Sequence, residues 1–153
     1  MKKLAEKKTN NKGFSLVELI IVIAIMAVLI GVLAPQYMRY LERSRLSKDN
    51  SAIDSVKTSL EAALTNESVY EEVSGTGTIT VTFNSTGYTI SDVSSYPKLA
   101  AEVTATVPYA DAKMGSKTYK NRAAASPANP PTLTIDRSTL KVTTGGGYTD
   151  TAD

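Results

Sequence analysis

One carboxylate, Glu18, stands alone in an apolar run from Phe14 to Ala34, FSLVELIIVIAIMAVLIGVLA, 21 residues long. A carboxylate deep in lipid costs roughly 2.5–3.5 kcal/mol on insertion scales unless it is neutralised or paired. Its presence points to a positive group that meets it, delivered by another copy of the chain. The plainer alternative is a tolerated charge near the helix end, reaching back to the interface. A second chemical feature lies just upstream. An ordinary secretory signal has a shorter apolar stretch with a small-residue cleavage site after it. Here the small residue is Gly13, before the run, and no such site is obvious after it. Cleavage between Gly13 and Phe14 would leave the apolar segment on the mature chain and free an ammonium on Phe14.

The chain of 153 residues has no histidine and no cysteine. Disulfides, thiolate chemistry and the commonest general base and metal ligand are thereby excluded. No glycine loop for phosphate, paired catalytic acids or metal-ligand spacing is present, and Asp111, Asp136 and Asp150 are too scattered for a calcium site. The expectation is a scaffold or surface protein with no catalytic residues, no cofactor and no metal. Net charge is +2, unevenly placed: residues 1–13 hold five lysines, Lys2, Lys3, Lys7, Lys8 and Lys12, against Glu6. Without them 12 basic and 14 acidic residues remain of the 17 and 15, so the basic bias belongs to the leader.

These groups need elements to hold them. At 1.5 Å per residue the apolar run spans roughly 30 Å as a helix, the thickness of a bilayer's hydrocarbon core. Lysines before it favour an amino end kept in the cytoplasm. Pro35 should kink or locally melt the helix, with Gly31 adding freedom nearby. Arg39, Arg43, Arg45 and Lys48, with Glu42 and Asp49, read as a solvated face with local pairs such as Asp49 beside Lys48 and Arg45. Leu46, Ile53 and Leu60, with Val56 and Ala63, form a stripe that should pack on a sheet. The helix is expected to run to about Leu64 and to loosen over Thr65–Ser68.

From Thr78 the pattern alternates, with Ile79, Val81 and Phe83 on one side. Asn84-Ser85-Thr86-Gly87 signals a turn returning through Tyr88-Thr89-Ile90. Ser94–Pro97 reads as a cap before a short helical turn, and Val103, Ala105 and Val107 as another strand. Residues 109–131 have no clear period and read as a long loop. Leu133, Ile135, Leu140 and Val142 flank Asp136–Thr139 as a second hairpin. The predicted organisation is a leader (1–13), a transmembrane helix (14–35), an amphipathic helix (36–66), a head (67–144) and a flexible tail (145–153). The fold class is α+β, a long helix packed on a small antiparallel sheet of four or five strands. Lys113, Lys117, Lys120 and Arg122, with Tyr109 and Tyr119, form a basic cluster. Ordinary surface charge is the reading preferred there over contact with DNA, an anionic surface or an acidic patch on the next subunit.

The motif Lys12-Gly13-Phe14-Ser15-Leu16-Val17-Glu18 resembles that of the type IV pilins and pseudopilins: a basic leader ending in glycine, then phenylalanine, with glutamate at the fifth mature position. Pro35 extends the likeness, which is strong to about residue 60 and fades beyond. The resemblance implies that a prepilin peptidase cuts between Gly13 and Phe14 and methylates the Phe14 amine. It also implies that Glu18 sets subunit register against a neighbour's amine. A homo-oligomeric cell-surface filament serving adhesion, motility or DNA uptake would follow, assembled from the cytoplasmic membrane by an ATPase and a membrane platform protein. The alternatives are a pseudopilin of a secretion or competence system and, lower, a single-pass anchored binding module.

Overall fold

The computed structural model describes residues 13–125 and 128–149. The chain divides into two units, Met1–Arg39 and Tyr40–Asp153. Helix α1 (Leu16–Ala63) begins in the first and ends in the second. Pro35 lies inside α1, which runs on through it rather than melting there.

In the second unit, the stripe on α1 is buried as its period predicts. Leu46, Ile53, Val56, Leu60 and Ala63 join one core with the inner face of the sheet. At Thr65–Ser68 the chain does more than loosen. Asn66 accepts a hydrogen bond from the Ser68 N–H, and a further helix, α2 (Glu67–Val73), starts there and buries Val69 and Val73. The cause is a side-chain cap that satisfies an orphan donor at a helix start.

The sheet has four antiparallel strands in the order β2-β1-β3-β4: β1 (Thr78–Asn84), β2 (Gly87–Ile90), β3 (Pro131–Asp136) and β4 (Lys141–Gly146). Both predicted hairpins form. In the first, the Asn84 side chain accepts from the N–H groups of Thr86 and Gly87 and so closes the turn locally. Gly87 sits at φ 143°, and an added Cβ there would collide with the Tyr109 carbonyl, so only glycine fits. Ile79, Val81 and Phe83 point inward beside Leu133 and Ile135, with the threonines between them on the other face.

Three expectations fail. The alternation at Val103–Val107 is helical, part of α3 (Pro97–Thr106), with Pro97 in its first turn and Leu99, Ala100 and Val103 buried. Three residues of period two are overruled by the proline start and by alanine's preference for helix. Segment 109–131 is not one loop: it holds a 3₁₀ turn (Tyr109–Ala112) and α4 (Lys117–Ala124) before β3 begins. Of the predicted tail, 145–149 is tied down, and 150–153 lies outside the described residues. Asn50 Nδ2 donates to the Thr149 carbonyl at 2.8 Å, and the Thr149 N–H donates to the Tyr119 hydroxyl at 3.2 Å.

Tyr88 links the edge of the sheet to the segment after α3, donating its hydroxyl to the Val107 carbonyl at 2.7 Å. Burial, aided by the neighbouring Tyr109, raises its pKa from 10.0 to about 12. A folded-state pKa above the unfolded one means stability fully present below pH 10 and lost as pH rises toward 12. Thermal melts between pH 9 and 12 should show that loss, and Tyr88→Phe, which cannot ionise, should flatten it. An equal alkaline loss in both proteins would clear Tyr88 of the effect.

Candidate assembly site on the amino-terminal helix

The predicted site residues fall at the head of α1. Gly13 is exposed with open space where a Cβ would stand, and Phe14 is 92% exposed. Residues 1–12, the rest of the predicted leader, lie outside the described residues. Ser15 is the N-cap: its side-chain oxygen accepts from the Val17 N–H at 3.3 Å and its carbonyl from the Leu19 N–H at 3.2 Å. Glu18 reaches back and takes the Ser15 N–H on Oε2 at 2.9 Å. Two groups that the helix start leaves unpaired are thus satisfied reciprocally. A carboxylate in the first turn also suits the positive end of the helix dipole. The bond uses one Glu18 oxygen and holds the carboxylate beside the backbone on which cleavage would create the Phe14 ammonium.

Ser15, which shares this cap with Glu18, is not among the predicted site residues. Its signal was present, since Ser15-Leu16-Val17-Glu18 has the spacing of a serine and a glutamate that cap one helix together.

Below the cap, α1 shows apolar side chains on all sides. Leu16 through Leu33 are exposed, as are Tyr37, Met38 and Tyr40. An 18-residue window reaches a mean hydropathy of 3.1, long and apolar enough to cross a membrane. Continuous apolar exposure on this scale marks a surface meant for lipid or for other helices. Glu18 is the acid in its first turn, and Gly31 has open space where a side chain would be.

The charged residues of the next part of α1 are not all a solvated face. Asp49 is 2% exposed and accepts from the Gly115 and Ser116 N–H groups, each at 2.8 Å. Glu42, two turns earlier, accepts from the Thr118 N–H at 3.0 Å. Both acids therefore cap the start of α4, correcting the local pairing of Asp49 with Lys48 and Arg45. In the basic cluster, Tyr119 is fully buried with its hydroxyl on Asn50, so it offers no stacking face to a base. Arg122 is engaged with the Gly147 carbonyl. Lys113, Lys117 and Lys120 are exposed.

The amino-terminal segment also has relatives among known proteins. Residues 8–34 match the prokaryotic N-terminal methylation motif. The segment is similar to the corresponding part of several type IV fimbrial proteins. A type IV major fimbrial protein FimA of Dichelobacter nodosus is 40% identical over 57 residues, which are 37% of this chain and 36% of that protein. A fimbrial protein of Pseudomonas aeruginosa is 40% identical over 53 residues, 35% of this chain and 34% of its own. The type IV major alpha-pilin of Moraxella bovis is 40% identical over 53 residues, covering 35% and 33%. The chain thus spans about a third of the length of the curated relatives it matches. No solved structure matches it.

Proposed function

We propose that the chain is a structural subunit of a type IV pilus, polymerising through α1 into a cell-surface filament. The observation that carries this reading is the methylation motif of residues 8–34 lying over an apolar helix whose sides are all exposed in the single subunit. Three relatives that share this segment are named as fimbrial proteins or pilins.

On this reading a prepilin peptidase cuts between Gly13 and Phe14 and methylates the Phe14 amine, which keeps its positive charge. Before assembly α1 crosses the cytoplasmic membrane once, amino end inside. In the filament, the Phe14 ammonium of one subunit pairs with Glu18 of a neighbour. An ion pair in low dielectric sets an axial register that an apolar interface alone would let slide. Pro35 has no N–H for the Gly31 carbonyl and marks where α1 can bend. Assembly would draw on a cytoplasmic ATPase and a membrane platform protein. The role is structural rather than catalytic on this reading, and the chain has neither histidine nor cysteine.

The test is intact mass and amino-terminal sequencing of material sheared from cells. A methylated chain starting at Phe14 and recovered from filaments is expected. A full-length chain starting at Met1 and confined to membranes would sink the processing scheme and leave an anchored binding module.

A further inference from the structure

The Tyr40–Asp153 unit is electrically polar along its part of α1. Residues 40–50 together with 111–124 hold seven basic residues against three acidic ones, a balance of +4. Two of those three acids, Glu42 and Asp49, are taken up in capping α4, and by doing so they hold α4 beside this end of the helix. The other pole comprises residues 54–63 of α1, α2, which follows directly on α1, and α3, which packs on α2. It holds six acidic residues against Lys57 and Lys98, a balance of −4. From Arg43 to Glu61 is roughly 27 Å at the helical rise. That is about three screening lengths at physiological salt, so the poles of one chain do not neutralise each other.

The acidic pole also carries a groove. It lies between Asp54, Ser55, Thr58 and Ala62 of α1 and Thr106–Val107 at the end of α3, with a volume of about 410 Å³. Ser59, only 5% exposed, lines it, and among the described residues its hydroxyl has no partner. Buried hydroxyls are ordinarily paired with protein or with water, so this one is open to accept from an incoming donor. The walls are mainly apolar and Asp54 stands among them. That combination suits a lysine, whose methylene stem lies on apolar surface while its ammonium meets oxygen acceptors.

We propose that this groove receives the α4 face of a second copy of the chain, with Lys113, Lys117 and Lys120 set against Asp54, Glu61 and Glu102. The contact joins two different patches of the same molecule. Such a head-to-tail contact repeats without closing when its rotation does not return on itself, and so builds a helical fibre. It adds a second interface to polymerisation through α1, and it rests on that reading.

The chain has no cysteine of its own, which allows a clean cross-linking test. Cells carry Ser55→Cys with Lys117→Cys, and sheared filaments are oxidised and run without reductant. A ladder of dimers, trimers and higher species is expected from this pair, and no ladder from either single variant. A control pair, Ser55→Cys with Ser138→Cys on the exposed β3–β4 turn, should give monomer. Intact filaments that yield no Ser55–Lys117 ladder, or an equal ladder from the control, overturn the contact and leave the filament reading standing. A wild-type chain that forms no filament overturns both. As a second measurement, Asp54→Lys with Glu61→Lys and, separately, Lys117→Glu with Lys120→Glu should each lower filament yield roughly tenfold, as like charges face each other. Combining all four should restore most of it, and failure to restore counts against the pairing.

Discussion

Replacing Glu18 by alanine is expected to lower the filament recovered from sheared cells by at least about tenfold while the chain still enters the membrane. Two effects of the substitution must be separated. Alanine removes the oxygen that takes the Ser15 N–H, and the loss of such a cap costs roughly 0.5–2 kcal/mol of helix start. It also removes the charge proposed to meet the Phe14 ammonium of a neighbour. Glu18→Gln distinguishes them, since glutamine keeps an acceptor in the capping position and carries no charge. If charge pairing sets register, glutamine should assemble as poorly as alanine. If the cap is what assembly needs, glutamine should assemble nearly as well as glutamate. Filament yield in the sheared fraction, read against total chain in the membrane fraction, decides between them. Normal filament yield from the alanine variant would remove the basis for any assembly role of Glu18.

The residues proposed for this site form a local pattern in the sequence. Gly13, Phe14 and Glu18 sit within a few positions of each other, and the apolar run declares its own helix. What Glu18 meets in an assembled state is not a local property, and no window of sequence contains it. The same division runs through the rest of the fold. Leu46, Ile53 and Leu60 announced their buried face by period, and the Asn84–Gly87 and Asp136–Thr139 turns announced both hairpins. Helix α4 has no apolar period, only the N-cap serine Ser116 before it. Its sequence KTYKNRAA buries Tyr119 alone, and its start, capped locally by Ser116, is also held by Asp49 and Glu42, more than sixty residues away in the chain. In sequence those two acids look like partners for adjacent bases. In the structure, backbone N–H groups claim them, because a buried helix start without acceptors is costlier than an exposed lysine without a carboxylate.

That cost is the source of the second large prediction. Asp49→Ala leaves the Gly115 and Ser116 N–H groups inside the unit with no acceptor, at a position where the side chain itself is 2% exposed. An unpaired buried donor costs roughly 1–3 kcal/mol, so the substitution should destabilise the unit by about 3 kcal/mol or more. For a unit of this size that lowers the unfolding midpoint by roughly 10–15 °C. The near-ultraviolet signal of the tyrosines, followed on the full chain in detergent, is the suitable probe. Tyr119 and Tyr88 belong to this packing, whereas the far-ultraviolet signal would be held up by the apolar part of α1. Asp49→Asn keeps one acceptor oxygen but sets an amide NH2 against the second N–H, so it should recover only part of the loss. Lys48→Ala, one position away and exposed, should stay within about 0.5 kcal/mol of the wild type. An Asp49→Ala chain that melts like the Lys48 variant would mean that the α4 start finds other acceptors. The long-range cap would then not be what holds α4 against α1.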